Sequence, residues 1–320
     1  DGKNWFLLNT DGILYQWDVA LKKQIWKFSD SAEIIKNVIS RSNISSFDLS
    51  PDGKNILTGN QSGIIKLVDI QSGKVILTYK KQEGDILSIS FSPKGDFFIS
   101  RSLDDMSLKL WETSTGKVIK KFQLPIHVKA IDFSSDGKYI VGGGFGGYPE
   151  GAGDYDILLW DVSQKQGIKI IKGHTNRVTD ICFSPDGKHF ASGSWDGTIK
   201  LWEVATGDLL SSTPVGFEIF SIDYSGDGKF LAVGGYGVKI IDLSNNMNTR
   251  SFNSTVQTTT MFKISPDLKY AVSVVGSSLR ISDLSKGKTK SINAKESYYQ
   301  AFSLFFSPDS KKLLVGFTDH

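Results

Sequence analysis

A histidine, a serine and an aspartate, His174, Ser192 and Asp196, fall within one short stretch of the chain, and imidazole, hydroxyl and carboxylate together are the groups of nucleophilic hydrolysis. A second stretch, Gly142 to Gly153 (GGGFGGYPEGAG), has seven glycines among twelve positions, the composition of loops whose bare N–H groups cradle phosphate. It lacks the GxxxxGK(S/T) spacing and contains no Lys, Ser or Thr, so a recognition loop or a passive insertion describes it better than a nucleotide site. Asp48, Asp132, Asp180 and Asp223 each sit in the middle of an apolar segment; gathered round an axis they would hold a cation, and otherwise they hydrogen-bond neighbouring strands. The lone Cys182 excludes an internal disulfide and a thiolate metal site built by this chain alone. His127, His189 and His320 have no paired spacing for a metal. Neither a metal nor a cofactor is implied.

The elements that must position these groups are set by a repeat. FSPDGK at Phe183 to Lys188 recurs as LSPDGK from Leu49, FSPKGD from Phe91, FSSDGK from Phe133, YSGDGK from Tyr224, ISPDLK from Ile264 and FSPDSK from Phe306. The serines fall at 50, 92, 134, 184, 225, 265 and 307, a period near 42 with one insertion. Within each period short alternating segments rich in β-branched and aromatic residues read as strands, for example Val178 to Phe183 and Thr198 to Trp202. Asp-Gly pairs at 52/53, 136/137, 186/187 and 227/228, and Ser-Gly or Thr-Gly pairs at 72/73, 115/116 and 206/207, supply the positive-φ positions that close tight hairpins. Each period is therefore a four-stranded antiparallel meander. One such sheet cannot bury both faces, so successive sheets must stack.

The third strand of each period ends in Trp17-Asp18, Val68-Asp69, Trp111-Glu112, Trp160-Asp161, Trp202-Glu203, Ile241-Asp242 or Ser282-Asp283, and Gly173-His174 opens the best-formed one. In these features the whole chain resembles the WD-repeat (WD40) β-propeller family. The resemblance implies an all-β fold, a single seven-bladed propeller over 1–320, with one composite blade drawn from both termini. Seven copies of three strand types but eight of the second leave Trp5 to Leu8 and the last strand competing for one slot, a count that also suits a fragment of a longer chain. The resemblance further places His174, Ser192, Asp196 and Trp202 in one buried structural network. Partial copies, Asp11 with Trp17, Ser100 and Asp105 with Trp111, and Asp154 with Trp160, speak for architecture, because a catalytic site is needed once.

Function then falls to irregular connections on one face, the top, where second strands lead to third and fourth strands lead to first. Insertions lie there at Ser29 to Asn43, whose Ile34, Ile35, Val38 and Ile39 suit a helical turn or two, and at Gly142 to Gly153. Phe145, Tyr148, Trp195, Phe217 and Tyr236 are the candidate anchors, with Arg177, Glu218, Asp85 and Asp104 as polar rim; the competing reading packs each against a neighbouring blade. The lysines of the repeated hairpins on the opposite face are neutralised by aspartates two residues earlier.

Composition narrows the classes. Across 320 residues, 37 basic against 34 acidic side chains give a net charge of +3 with no basic patch, which argues against nucleic acid. No apolar run approaches the ~18 residues of a spanning helix, so no membrane partner is expected. The sequence thus reads as a non-catalytic, monomeric, cytoplasmic scaffold for protein or peptide partners. The alternatives are an enzyme or small-ligand or cation binder using the central channel, and a regulatory propeller of a larger multidomain protein.

Overall fold

The structure, a computed structural model, describes residues 4–8, 13–18, 23–29, 44–146, 155–163, 168–236, 238–245, 248–252, 259–265, 269–275, 278–283, 288–293, 300–306 and 313–318, with side chains chiefly between Ile44 and Asn245. The described residues form 29 strands and no helix, arranged in seven sheets. Six are four-stranded antiparallel meanders in chain order: sheet B from Ile44 to Thr78, C from Ile86 to Gln123, D from Val128 to Ile171, E from Val178 to Pro214, F from Ile219 to Phe252 and G from Thr259 to Asn293.

Sheet A takes strands from both ends and has five, ordered Gln300–Phe306, Leu313–Thr318, Asn4–Leu8, Ile13–Asp18 and Lys23–Ser29. The two strands expected to compete for one slot both find a place. Asn4–Leu8 pairs parallel to Leu313–Thr318 through Phe6 and Leu314, Leu7 and Val315, and Leu8 and Gly316. The segment 30–43 between sheets A and B, including the expected helical turns, lies outside the described residues. The chain divides into two compact units, one of Asp1–Pro125 with Tyr298–His320 and one of Ile126–Ser297.

Sheet E shows why the repeat folds as it does. Val178, Ile181 and Phe183 on the first strand pack with Phe190 and Trp202 of the next two in one apolar cluster, and all are buried. The hairpin after Phe183 is held by its own side chains: Asp186 accepts hydrogen bonds from Ser184 Oγ at 2.6 Å and the Lys188 N–H at 3.0 Å, while Gly187 takes φ +68°. The same bonds recur at Asp52, Asp136 and Asp227. At Asp186 the Ser184 hydroxyl and the Lys188 amide, bonding to the ionised form, hold the carboxyl below the usual carboxylate range.

Within each unit, successive sheets meet through their first and second strands. Glycine in the second strand makes that approach possible. A Cβ on Gly193 would lie 2.7 Å from Ile219 Cγ2 of the next sheet, and one on Gly59 would lie 2.5 Å from Ile86 Cγ2. A carboxylate then ties each such junction. Asp48 accepts the Phe91 N–H, Asp132 the Phe183 N–H, Asp180 the Ile222 N–H and Asp223 the Ile264 N–H, at 2.7–3.2 Å, so four aspartates considered for a cation instead satisfy amides on the neighbouring sheet.

Each first strand carries one residue more than its partner. In all seven sheets the pairing of first and second strands shifts register within the first residues of the strand, as between Val178 and Asp180, leaving a bulged residue between. Ser45 and Thr179, at this position, each donate a 2.6 Å hydrogen bond to the first-strand carbonyl of the next sheet, Ile86 O and Ile219 O. In sheets D and F the bulged residues are Lys129 and Phe220, and these turn elsewhere.

Candidate functional site

On sheets D, E and F the turns that follow the second strands, joined by one residue of a first strand, carry a continuous row of aromatic rings. Phe145, just past the second strand of D, meets Trp195 edge-on with centroids 6.1 Å apart. Trp195, in the turn after the second strand of E, meets Phe220 at 6.0 Å, and Phe220 meets Tyr236 at 5.5 Å, both nearly perpendicular. Edge-to-face contacts of this kind contribute ~0.5–1.5 kcal/mol each beyond the area they bury, so the row is rigid before any partner arrives. Tyr236 is 50 % exposed, and Phe145, Trp195 and Phe220 are half-buried. Trp195 Nε1 is buried and has no acceptor among the described residues.

Cations sit on these rings. The Arg177 guanidinium caps two of them, 4.8 Å from the Phe145 centroid and 5.0 Å from that of Trp195. Lys129 Nζ lies 4.8 Å from the Phe145 centroid. Lys129 is exposed overall, but partial desolvation of its ammonium lowers its pKa, a shift that Asp180 opposes and Arg177 reinforces.

Of the residues singled out from the sequence, Phe145, Arg177, Trp195 and Tyr236 are brought together in this row. Phe217 is placed differently. It packs against the buried cluster of Ala191, Val215, Ile219 and Ile222 and lies beneath Gly235, where a Cβ would stand 2.7 Å from its ring, with Lys239 Nζ 5.6 Å from its centroid. Glu218 follows it, half-buried, its carbonyl closing on the same glycine. Asp85 and Asp104 belong to the other unit; the Asp85 carbonyl accepts the Leu103 N–H at 3.0 Å, and Asp104 is exposed. Tyr148 lies outside the described residues, as does most of its glycine-rich segment, although Gly142, Gly143 and Gly144 are the end of a strand, Tyr139–Gly144, and no loop.

Two members of the row, Phe220 and Lys129, escaped the sequence reading because they lie inside strands. The signal was present in principle: the bulge makes the first strand one residue longer than its partner, and the extra residue is re-aimed off the sheet face.

The histidine group of sheet E has the connectivity of a hydrolytic triad and none of its openness. His174 Nδ1 lies 2.8 Å from Asp196 Oδ2, His174 Nε2 lies 2.7 Å from Ser192 Oγ, and Trp202 Nε1–H donates to that same oxygen at 2.8 Å. One tautomer assigned from this network satisfies everything: Nδ1–H donates to the carboxylate and the serine hydroxyl donates to Nε2. The His174 side chain is 0 % exposed and Ser192 is fully buried beneath the indole, so the hydroxyl has no route to a substrate. Burial opposes ionisation of Asp196, but hydrogen bonds from His174 and Thr198 outweigh it and hold the carboxyl well below the usual range.

Sheet C carries a variant that the sequence reading missed. Gln82 replaces the histidine: Ser100 Oγ donates to Gln82 Oε1 at 2.6 Å, and Trp111 Nε1–H donates to Ser100 Oγ at 2.8 Å. Asp105 does not join. It accepts from Ser107 and faces Lys109 at 3.0 Å and Lys121 at 3.7 Å, and Gln82 Nε2 is left buried without an acceptor among the described residues. Substituting Gln82→His should give Asp105 an imidazole donor and remove that orphan, raising stability by about 1 kcal/mol as read from the urea midpoint at constant m-value. A drop in the midpoint would show that Asp105 is already committed to its lysines.

Comparison with known proteins adds to this geometry. The family model described as WD domain, G-beta repeat, matches residues 73–112, 116–161 and 165–203, and that of the anaphase-promoting complex subunit 4 WD40 domain matches residues 16–91. Together they cover more than half of the chain. Among curated proteins the chain is similar to guanine nucleotide-binding protein subunit beta-5b of Danio rerio, 30% identical over 215 residues, which are 52% of each chain. It is similar to the periodic tryptophan protein 2 homolog of Dictyostelium discoideum, 23% identical over 209 residues, 64% of this chain and 22% of that one. A third relative is the serine-threonine kinase receptor-associated protein of Dictyostelium discoideum, 30% identical over 139 residues, 43% of each. The matches span about half the length of these relatives or less.

Proposed function

This chain belongs to the WD-repeat family, and from that membership we propose that it is a non-catalytic scaffold that binds a protein or peptide partner along the aromatic row of sheets D, E and F. The observation that carries the reading is the Phe145, Trp195, Phe220 and Tyr236 row itself, a set of large rings held in fixed register by three sheets at the surface. Aromatic side chains on a rigid frame lose little conformational freedom on binding, which is why they dominate the energetics of interfaces. Relatives that share the repeat include a subunit of a guanine nucleotide-binding protein and a kinase receptor-associated protein, names that themselves describe assembly with other proteins.

Two observations weigh against the alternative of a channel enzyme or cation binder. The hydroxyl of the His174 group is sealed by Trp202, and Asp48, Asp132, Asp180 and Asp223 spend their carboxylates on inter-sheet amides.

The test is affinity capture with wild type beside the double variant Trp195→Ala, Tyr236→Ala. Loss of two central anchors, each contributing ~2 kcal/mol or more, should weaken a specific partner by several hundredfold and remove it from the captured set. Because Tyr236 is 50 % exposed and Trp195 is only half-buried, the thermal midpoint should fall by only a few degrees. An unchanged captured set would overturn the proposal.

A further inference from the structure

Sheet C departs from the other sheets at the positions that elsewhere tie one sheet to the next. Where sheets B, D and E carry Gly59, Gly143 and Gly193 in the second strand, sheet C carries Arg101. The third and fifth positions of its first strand hold Ser88 and Ser90, the places taken elsewhere by Asp180 and by Asp48, Asp132 and Asp223, so Ile86–Phe91 contains no acid. Arg101 is only 5 % exposed, and its Nε–H is buried with no acceptor among the described residues. Nε is the one sealed nitrogen of the group, so the two Nη atoms at its tip remain reachable from solvent. Burial alone lowers its pKa to about 10, with no carboxylate opposing the shift, and the guanidinium is therefore charged at neutral pH. A cation so recessed keeps little of its hydration, and such groups are otherwise paired with an anion.

Strand register fixes what shares its face. Arg101 lies directly opposite Ser88 on the first strand and Leu108 on the third, and Ile99 lies opposite Ser90. Opposite residues of an antiparallel pair point to the same side, so the two serines flank the guanidinium on one face. Phe98 and Trp111 occupy the other face, packed with Leu57 and Ile65 of sheet B. Ser88 and Ser90 are half-buried, which leaves that flank approachable, whereas Ile99 and Leu108 are fully buried and close the opposite side.

Independently of the scaffold reading, we propose that Arg101, with the hydroxyls of Ser88 and Ser90, forms a site on sheet C for the carboxylate of a small organic acid. A carboxylate is favoured over phosphate because one fixed positive charge balances one negative, and a planar guanidinium fork meets a planar carboxylate through two parallel hydrogen bonds. A phosphate dianion would need a second cation. Lys109 and Lys121, the basic groups of the neighbouring strands, are held by Asp105 at 3.0 and 3.7 Å, and Lys109 lies opposite Ser100 on the other face.

The experiment follows the thermal midpoint of the whole chain against acetate, with ionic strength held constant by sodium chloride, for wild type, Arg101→Met and the double variant Ser88→Ala, Ser90→Ala. The expected result is a rise in wild type that saturates, as binding to the folded state requires, and its loss in Arg101→Met. The double variant should bind ~10-fold more weakly, the effect of two lost hydrogen bonds. An apolar side chain of similar length in place of a recessed charge should preserve the fold, and Arg101→Gly, which restores the residue of sheets B, D and E, is the second variant should it not. A wild-type midpoint that does not saturate with acetate, or an equal rise in Arg101→Met and Arg101→Gly, overturns the site. Tighter binding of inorganic phosphate than of acetate overturns the choice of carboxylate. Tighter binding of a capped Ala-Asp-Ala peptide overturns the choice of a free acid.

Discussion

Replacing His174 with alanine should destabilise the protein by ~3–5 kcal/mol, one of the two largest effects of any single substitution anticipated here, because it strands a buried carboxylate and a buried hydroxyl at once. Asp196 would keep its bonds from Thr198 but lose the 2.8 Å bond from the imidazole, and Ser192 would lose the acceptor for its proton. Sheet C indicates the milder route: Gln82 occupies the same role, so His174→Gln should cost about half as much, since an amide still accepts from Ser192. Urea unfolding with amide exchange over 178–214 measures both. A cost below ~1 kcal/mol for His174→Ala would mean that the network is not what joins these strands. Its pH dependence has a definite sign. The Asp196 pKa is depressed in the folded state, so its contribution is present above the unfolded value near ~3.9 and is lost only as pH falls through the lower folded value.

Asp132 should behave in the opposite sense. It accepts from its own neighbour, the Phe133 N–H at 2.8 Å, and from Phe183 on the next sheet at 2.8 Å, yet burial outweighs these bonds and raises its pKa to about 7. A folded pKa above the unfolded value means that stability is fully present below about pH 4 and is lost as pH rises through about 7. Wild type should therefore lose stability across this window more steeply than Asp132→Asn, which has nothing to titrate at that site. Asp223, also raised by burial but restrained by Lys263, should contribute a smaller slope of the same sign. At neutral pH, Asp132→Ala leaves two amides unpaired and should cost ~2–4 kcal/mol. The carboxyl carbon resonance of Asp132 should titrate near pH 7; a midpoint near 4, or identical pH profiles for wild type and Asp132→Asn, would refute this account.

The two aspartates show why equal residue types diverge. Asp196 receives donors that prefer its ionised form strongly enough to overcome burial, including a histidine and a threonine hydroxyl. Asp132 receives two backbone amides and no cation within bonding distance among the described residues. Sequence position marks Asp132 as mid-segment and Asp196 as part of the His174 group, but it does not tell which way either carboxyl shifts.

What the sequence by itself determined is local. A 42-residue spacing, alternating apolar residues and Ser-Pro-Asp-Gly-Lys turns define strands, hairpins and the order of the meanders, because these follow from side-chain period and from bonds between residues no more than five apart, such as Ser184 with Asp186 and His189. The His174 group was legible because the family pattern marks it and its four residues belong to one repeat: Ser192 and Trp202 on adjacent strands, Asp196 in the turn between them and His174 in the segment leading into the sheet. Only the tertiary structure decided which residues of different sheets touch. The row from Phe145 to Tyr236 spans three sheets and 92 positions of sequence, and one of its members, Phe220, sits at a bulge, as does Lys129, whose ammonium lies over Phe145. Phe217 and Trp195, alike on paper, part company because one lies beneath a glycine of its own sheet and the other between rings of its neighbours. Lateral contact between sheets is fixed by close packing of the whole stack, a property that no window of one repeat contains.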